Sequence, residues 1–478
     1  MQHRAAQEGG FVQKRFIAGA NPDGMAFLPP VSGHIMSLKP LAALLPFALL
    51  PAVAQALPAF PGAEGFGANA TGGRGGEVVF VTNLDNSGSG SLRSALSGWS
   101  NSPKIIVFKV GGEIRLSSPI RISNSNITVA GQTAPGGGIT LRGAPLEITG
   151  SNLIIRHIRI RHGNERSGDD DAVSIMDGAR NIILDHVSAS WSVDETLSPS
   201  GDIRDITIQW SVISESLRNA GHKKGAHGYG SLLRATGGVS LHHNLWAHHL
   251  GRSPRFGDNY GKPFYPSPTF DFRNNVIYDW GSYASGTIDG NISVNYVANY
   301  LKPGPSTKKL LPVTLTRFAD AKTRFHLAGN LVDGHPEISE AAGNFIGAES
   351  NNPPAVFTLS ETPFPAPALS TTDAATAYEQ VLARAGTTVP KRDAVDERVI
   401  RQVRSGTGGL IDTQNDVGGW PQLESGSAAL DSDGDGIPDD WEIAHGLDPK
   451  NPKDARELDA SGYMHIERWF NELADKKD

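Results

Sequence analysis

Short strand-like segments recur along most of this chain and constrain its fold more than any other feature. Eight of them begin 22 to 34 residues apart and alternate apolar with polar residues, so each presents one apolar face. One such segment cannot bury that face alone, and regular recurrence indicates a solenoid whose neighbouring coils complete the core. The segments begin at Asn126, Asn152, Asn181, Asp205, Val239, Thr269, Asn291 and Arg324.

The fold predicted from these units is all-β, a right-handed parallel β-helix over residues 57–345. The units lack the 3.6-residue period of helical repeats, and 55 glycines with 38% hydrophobic residues suit short strands joined by turns. An asparagine follows the strand in four units. These asparagines either stack and hydrogen-bond one coil to the next or are ordinary turn residues. They are Asn244, Asn275, Asn299 and Asn330.

A solenoid needs its open ends covered. Residues 88–97 predict a loop that opens a short amphipathic capping helix. Residues 346–428 predict a C-terminal wrap with two helices that pack on the flank of the solenoid or close its end. The expected N-caps of these helices are Asp373 and Asp393, and the expected stops are Gly386 and Gly406.

The N-terminal region carries the pattern of a secretory signal over residues 36–56. Lys39 precedes an apolar run that is too short for a permanent membrane anchor, and Ala-Gln-Ala at 54–56 resembles a cleavage site. We interpret residues 1–35 as a non-native extension; a genuine extension is the alternative. The mature chain is expected to begin near Leu57, outside the cytoplasm, either extracellular or periplasmic, as a monomer without membrane association.

The C-terminal segment matches a calcium-loop template. DSDGDGIPDDWE at 431–442 fits D-x-[DN]-x-[DN]-G-x5-E at every specified position, which predicts an EF-hand-like module over 429–478. Pro438 favours a static structural Ca²⁺ site over a regulatory one, and an acidic linker is the alternative. The candidate ligands are Asp431, Asp433, Asp435, the Ile437 carbonyl, Asp439 and Glu442.

Two neighbouring stretches carry opposite charge. Ten acidic residues lie between positions 165 and 205, whereas positions 218–255 contain lysines and arginines but no acid. Stacked coils would put an acidic patch, suited to Ca²⁺, beside a basic patch, suited to carboxylates. This predicts an anionic ligand such as a polymer of uronic acids. The net charge of −7 gives no reason to expect nucleic acid, and the absence of cysteine excludes thiolate sites.

Several motifs occur in the order found in one family. FPGAEGFGANATGGRGG, IILDHVSASWSVDE, HKKGAHGYG and GRSPRFG, within residues 60–345, resemble polysaccharide lyase family 1, the pectate lyases. The resemblance implies Ca²⁺-dependent cleavage of α-1,4-polygalacturonate by β-elimination. The calcium aspartates of the family correspond to Asp171 and Asp194, with Asp169 next and Glu195 as a further candidate. Ser198 stands where relatives commonly have an acid, so weaker Ca²⁺ binding or another metal is the alternative.

The R-x-P motif of the family corresponds to Arg252-Ser253-Pro254, so the resemblance implies that Arg252 abstracts the C5 proton. Deprotonating a guanidinium near neutral pH costs about 7 kcal/mol, so we expect nearby cations to lower its pKa and the activity to be optimal at alkaline pH. The alternative is that Arg252 only pairs with a substrate carboxylate. The candidate substrate-binding residues are Lys224, its neighbour Lys223, Arg255, which partly replaces an arginine absent at Gly257, and Arg218.

Three other functions compete with this interpretation. A pectin lyase acting on methyl-esterified polymer needs no Ca²⁺, and a glycoside hydrolase needs a carboxylate pair as acid and base. The third alternative is a non-catalytic polysaccharide-binding β-helix. A histidine metal site is not expected at positions 242, 243, 248 and 249, because alternation along a strand sends neighbours to opposite faces.

Overall fold

Parallel strands run along three sides of the molecule, and successive coils of the chain add strands to these sides in turn. One sheet forms each of the first two sides, and two consecutive sheets, together called the third sheet, form the last. The structure, a computed structural model, describes residues 57–475 apart from residues 99–100, 167, 261–265, 289, 316–321, 340–341 and 349–355. The described residues lie in one compact unit. The predicted signal at 36–56 and the extension at 1–35 lie outside the described residues.

The strands are assigned to the sheets as follows. The first sheet contains β1 (Glu77–Val81), β2 (Lys104–Phe108), β5 (Ile127–Ala130), β8 (Leu153–Arg156), β11 (Arg180–Asp185), β14 (Arg204–Gln209), β17 (Val239–His242), β20 (Thr269–Arg273), β23 (Ile292–Val297), β26 (Thr323–Ala328) and β29 (Thr358–Leu359). The second contains β3 (Gly112–Arg115), β6 (Ile139–Arg142), β9 (Arg159–Arg161), β12 (Ser188–Ser190), β15 (Val212–Ser214), β18 (Leu245–His249), β21 (Val276–Trp280), β24 (Tyr300–Lys302) and β27 (Leu331–Val332). The third contains β4 (Ile120–Ile122), β7 (Leu146–Ile148), β10 (Val173–Ile175) and β13 (Leu197–Pro199), followed by β16 (Leu232–Ala235), β19 (Arg255–Asp258), β22 (Ser285–Thr287), β25 (Val313–Leu315) and β28 (Ile346–Ala348).

The eight segments singled out in the sequence supply eight strands of the first sheet, β5 to β26, so the predicted all-β parallel solenoid is confirmed. Pairing is in register from coil to coil: Ile182 of β11 lies opposite Leu153 of β8 and Ile206 of β14. All three side chains are buried in one core cluster that runs through the solenoid. Burying an aliphatic side chain of this size contributes roughly 1.5–3 kcal/mol, so the repeated ladders dominate the stability of the fold.

The four asparagines form a continuous ladder at the corner between the first and second sheets. The side-chain oxygen of Asn275 accepts from the backbone N–H of Asn244 at 3.0 Å, and that of Asn299 accepts from the backbone N–H of Asn275 at 2.9 Å. Asn330 accepts from Asn299 in the same way. The side-chain amides of Asn244 and Asn275 also donate along the ladder. The stacked arrangement is therefore confirmed, because each asparagine satisfies buried backbone groups of the neighbouring coil.

Seven α-helices occur within the described residues. They are α1 (Leu92–Leu96), α2 (Pro336–Ser339), α3 (Ala342–Phe345), α4 (Ala374–Arg384), α5 (Ala394–Ser405), α6 (Asp439–His445) and α7 (His465–Asp475), and short 3₁₀ turns lie at Gly131–Thr133, Gln414–Val417 and Asp454–Arg456. Helix α1 buries its apolar side at the first coil, as predicted. None of the described helices is long and apolar enough to cross a membrane.

Helices α4 and α5 pack on the outer face of the second sheet, through Val381 and Val399 against Val212 and Val276. The side chain of Asp373 caps α4, and that of Asp393 caps α5, as predicted. Helix α5 ends at Gly406, whose φ of 69° is the left-handed conformation that favours glycine. The C-terminal wrap therefore covers the flank of the solenoid.

Asn275→Ala is expected to destabilise the chain by about 2–4 kcal/mol. The substitution removes the acceptor of Asn244 and leaves the Leu241 carbonyl without its donor, and each buried polar group left unpaired costs roughly 1–3 kcal/mol. Chemical denaturation measures the change. Asn69→Ala, at an exposed site, is the control. Equal midpoints for the two variants would contradict a structural role for the ladder.

Candidate active site

The candidate residues meet where the chain passes from the second sheet to the third. In four successive coils, this connection carries 169–171 before β10, 194–195 before β13, 222–229 before β16 and Arg252 before β19. Because the coils pair in parallel, the same turn of each coil lies beside the next one. Residues that are more than 80 positions apart in sequence therefore line one edge of the third sheet.

Asp171, Asp194 and Glu195 form an acidic cluster in which one carboxylate oxygen from each lies within 4.8 Å of the others. The backbone N–H of Glu195 donates to Asp171 at 3.0 Å and orients the two coils. Burial and repulsion by Asp194 raise the pKa of Asp171 to about 7. Burial, followed by repulsion from Asp171, raises the pKa of Glu195 well above its usual range. A group of oxygen ligands with this mutual repulsion suits a hard divalent cation.

Arg252 contacts this cluster from a coil that lies two coils beyond that of Glu195. Its guanidinium pairs with the carboxylate of Glu195 and lies over the ring of Tyr229, with 3.9 Å between the guanidinium carbon and the ring centroid. Burial opposes ionisation of Arg252, but attraction to Glu195 prevails and raises its pKa. The sequence led us to expect nearby cations to lower this pKa. In the arrangement seen here the nearest charge is a carboxylate, which holds the guanidinium protonated.

Two histidines complete the cluster. The rings of His222 and His227 stack 3.8 Å apart, and Nε2 of His227 lies 2.5 Å from Oδ1 of Asp194. The backbone N–H of Lys224 donates to Nδ1 of His222, so the neutral His222 ring carries its proton on Nε2, which faces Asp194 at 3.5 Å. Burial would raise the pKa of Asp194, but hydrogen bonding to His227 and Glu195 lowers it. The two rings therefore orient Asp194.

Comparison with known proteins places the chain in a family. No family model matches it. The chain is 41% identical to the probable pectate lyase C of Aspergillus flavus over 431 residues, which cover 88% of this chain and 94% of that protein. The chain belongs to the pectate lyase family. It is also 40% identical to the probable pectate lyase C of Emericella nidulans over 446 residues, with 91% of this chain and 97% of that protein covered.

A solved structure supports the architecture of this pectate lyase. The crystal structure of Jun a 1, the major allergen from cedar pollen, aligns with a TM-score of 0.51 and 19% sequence identity. The alignment covers 68% of this chain and 92% of the allergen. At that level of identity, the likeness shows a shared parallel β-helix fold.

The predicted cationic residues of this pectate lyase differ in their surroundings. Nζ of Lys223 lies 2.6 Å from Asp169 at the edge of the acidic cluster. Lys224 is exposed beside it and, within the described part of the chain, forms no ion pair. Arg255 donates to the Thr287 carbonyl at 2.9 Å.

Arg218 pairs with a residue of the C-terminal wrap. Its guanidinium lies 2.9 Å from the carboxylate of Asp412, and the Arg218 carbonyl accepts from the backbone N–H of His227. Arg218 thus braces the loop that carries the two histidines. The position of Asp412 in the fold was not foreseen from the sequence, because 194 residues separate the pair.

Ser198, at the position where the resemblance led us to expect an acid, is buried in β13 and accepts a hydrogen bond from the backbone N–H of Leu232 at 3.0 Å. It holds two coils of the third sheet together. Glu195 supplies the third carboxylate of the cluster. The sequence offered Glu195 only as a further candidate, since adjacency to Asp194 does not reveal which side of the turn a side chain occupies.

The histidines on and after β17 and β18 serve the fold. Nδ1 of His248 lies 2.8 Å from Asp279, and His249 bonds to Ser216 and to the Ile213 carbonyl. Within the described residues, no candidate metal group includes them. The histidines that do join an acidic group, His222 and His227, come from the HKKGAHGYG loop, whose predicted site residues are its two lysines.

A second acidic cluster lies in the predicted calcium loop. Carboxylate oxygens of Asp431, Asp433 and Asp435 lie within 4.8 Å of one another, and Asp435 forms a second such group with Glu442 and Asp454. Burial and the neighbouring carboxylates raise the pKa of Glu442 to about 8 and that of Asp435 to about 6.

The other two predicted ligands of the loop have different surroundings. The Asp439 carboxylate accepts from the backbone N–H and hydroxyl of Ser432. Ile437 is fully buried, and its N–H donates to Asp435 at 2.8 Å. The loop is therefore closed by its own hydrogen bonds, with its carboxylates gathered on one side.

Without divalent cations, Asp171 is expected to contribute less to the stability of the chain as the pH rises from about 4 to about 7. Folded Asp171 keeps its proton up to about pH 7, whereas the unfolded chain loses it near 3.8, so the native state binds more protons in this window. The slope should be on the order of 1 kcal/mol per pH unit. Denaturation in chelator at several pH values measures it.

Asp171→Asn should remove this contribution from the dependence of stability on pH, whereas Asp85→Asn, at an exposed site, should leave the dependence of the parent chain unchanged. The two variants lose the same charge, so net charge cannot explain a difference between them. A pH slope that is equal in both variants and in the parent chain would show that Asp171 ionises normally.

Proposed function

We propose that this chain cleaves pectate by Ca²⁺-dependent β-elimination, with Arg252 as the base. The single observation that carries the proposal is the contact between the Arg252 guanidinium and the acidic cluster of Asp171, Asp194 and Glu195. A base beside a cation site is what proton abstraction next to a carboxylate requires. Membership of the pectate lyase family supports the same reaction.

The residues present fit a calcium ion at the acidic cluster. Three carboxylates converge from two coils. Burial, together with repulsion among them, raises the pKa of Asp171 and Glu195, and a divalent cation would relieve the repulsion. Asp169 extends the set toward Lys223. When bound, Ca²⁺ neutralises the substrate carboxylate and so acidifies the neighbouring C–H bond.

Arg252 is proposed to take the C5 proton of the uronate on a guanidine nitrogen. The C–H electron pair forms the C4–C5 double bond, the C4–O bond breaks, and the leaving oxygen is protonated from solvent. For this role the guanidine must first lose its own proton, and the ion pair with Glu195 opposes that loss. High pH favours this loss, so an alkaline optimum is expected, and separation of Glu195 from Arg252 would lower the pKa of Arg252 and ease the loss.

Three cations near the cluster are proposed to bind the carboxylates of the polymer. Lys224 is exposed, Lys223 pairs with Asp169, and Arg255 begins β19, three residues after Arg252. Their spacing along neighbouring coils suits an extended polyanion that lies along the edge of the third sheet. Arg218, engaged by Asp412, is proposed to act by bracing the histidine loop.

We also propose that the protein is secreted as a monomer after cleavage of the signal at 36–56. Its loop at 431–442 is proposed to bind a second, structural Ca²⁺ through Asp431, Asp433, Asp435 and Glu442, which are gathered in the C-terminal cluster. The template match and the buried carboxylates of this loop support the assignment.

The experiment that tests the reaction follows ultraviolet absorbance of polygalacturonate with enzyme, first in chelator and then after Ca²⁺ is added back. Elimination leaves an unsaturated uronide that absorbs, so absorbance should rise only with Ca²⁺. Reducing ends without absorbance would indicate hydrolysis, and activity that persists in chelator would exclude the metal-dependent route. Binding without either product would leave a polysaccharide-binding protein.

Arg252→Lys should reduce turnover roughly 10²–10⁴-fold, the range expected for loss of a positioned general base. It keeps the positive charge, so the affinity for polygalacturonate, measured by calorimetry, should change little. Arg204→Lys, an exposed arginine on β14, is the matched control and should retain full activity. If Arg252→Lys turned over at the parental rate, Arg252 would not be the base.

A further inference from the structure

The C-terminal cluster contains one acid that the calcium-loop template does not include. Asp454 begins a 3₁₀ turn that lies twelve residues beyond the end of the loop, yet one of its oxygens lies within 4.8 Å of oxygens of Asp435 and Glu442. Asp454, Asp435 and Glu442 are all buried. Three buried carboxylates from two separate segments thus converge on one point.

We propose that Asp454 is a ligand of the C-terminal cation site, and that the bound ion fastens the C-terminal segment to the first coils of the β-helix. This proposal rests on the proposed calcium loop, and it adds a further ligand and a structural role for the bound ion. The ligand class is a hard divalent cation of the size of Ca²⁺, because the donors are carboxylate oxygens from several positions.

Unpartnered oxygens within the cluster point to an ion. Glu442 is completely buried, and neither of its carboxylate oxygens has a hydrogen-bond partner. Oδ2 of Asp433, Oδ2 of Asp435 and Oδ1 of Asp454 are also buried without a partner. Burying an ionised carboxylate without compensation is strongly unfavourable, so several of them at one point call for a cation.

The structure also explains why Asp454 belongs to the set. Its Oδ2 accepts from the backbone N–H of Asp448 at 3.1 Å, which fixes the carboxylate and leaves Oδ1 buried without a partner. Asp439, which occupies a template position, has both oxygens bonded to Ser432. Asp454 therefore provides a carboxylate oxygen that can bind the ion directly, whereas both oxygens of Asp439 are occupied by Ser432.

The loop lies between the solenoid and the last helix. Ile437 packs in one cluster with Ile105 of β2 and Trp469 of α7. A Cβ at Gly436 would lie 2.9 Å from Val78 of β1, so the loop touches the first sheet directly. Nζ of Lys109 lies 3.3 Å from Asp431 and joins a cation-site residue to the solenoid.

An ion at this cluster would therefore stabilise more than the loop. Repulsion among the carboxylates of Asp435, Glu442 and Asp454 pushes apart segments that both rest on β1 and β2. A cation removes that repulsion and ties Asp454, which follows α6, to the loop that precedes it. The C-terminal cover of the first sheet then depends on the ion.

The test is calorimetric titration of the full chain with Ca²⁺. All proteins carry Asp171→Asn, which weakens the catalytic cluster so that the C-terminal site dominates the signal. Asp454→Asn should weaken Ca²⁺ binding at least about 10-fold, because it removes a charged ligand. Asp440→Asn, an exposed acid on α6 with the same change in charge, should bind within about twofold of the parent.

Equal affinities for Asp454→Asn and Asp440→Asn would overturn the assignment of Asp454. Absence of Ca²⁺ binding in the parent of this series would overturn the site itself. The ultraviolet assay of the unmodified chain then still reports on the catalytic proposal, so the two failures are distinguishable. Circular dichroism of each variant without metal verifies that the β-helix is folded.

Thermal unfolding tests the fastening role. Ca²⁺ should raise the melting temperature of the Asp440→Asn chain and protect residues 429–475 from protease. Glu442→Gln should lose both effects, yet it should be no less stable than Asp440→Asn in chelator, since the carboxyl it replaces is buried without a hydrogen-bond partner. Binding of Ca²⁺ without any change in melting temperature or proteolysis would overturn the fastening role.

Discussion

In-register hydrogen bonding between successive coils is the constraint on which the rest of this molecule depends. Each strand of the first sheet pairs in parallel with the strand one coil earlier and one coil later, so equivalent turns stack along the axis. The core ladders and the asparagine ladder are direct products of that stacking. So is the candidate active site, which draws one short segment from each of four adjacent turns.

At that site, the acidic cluster and the Arg252 guanidinium compete for the carboxylate of Glu195. Its carboxylate belongs to the acidic cluster with Asp171 and Asp194, and it also pairs with the Arg252 guanidinium. Burial and repulsion within the cluster raise the pKa of Glu195, while the Arg252 guanidinium acts in the opposite direction. In the proposed mechanism, Glu195 thus links metal binding to the protonation of the base.

Distant parts of the chain complete the solenoid. Helices α4 and α5 cover the second sheet, and Asp393 and Asp396 at the start of α5 form buried ion pairs with Arg161 of β9. The segment from α6 to α7 covers the first coils of the first sheet. These covers bury outer faces of sheets that would otherwise be exposed, which is why a chain with a repetitive core needs a non-repetitive C-terminal third.

Sequence alone determined the features that depend on local pattern. Alternation identified the strands, recurrence identified the solenoid, and cap residues located α4 and α5, because each rests on neighbours within a few positions. Motif order pointed to Arg252 and the aspartates near it as candidate site residues. Only the tertiary structure decided the contacts of His222, the pairing of Arg218 with Asp412 and the convergence of Asp454 on Glu442. Coil lengths vary, so the register that brings such residues together is set by the packing of whole coils and not by their separation in sequence.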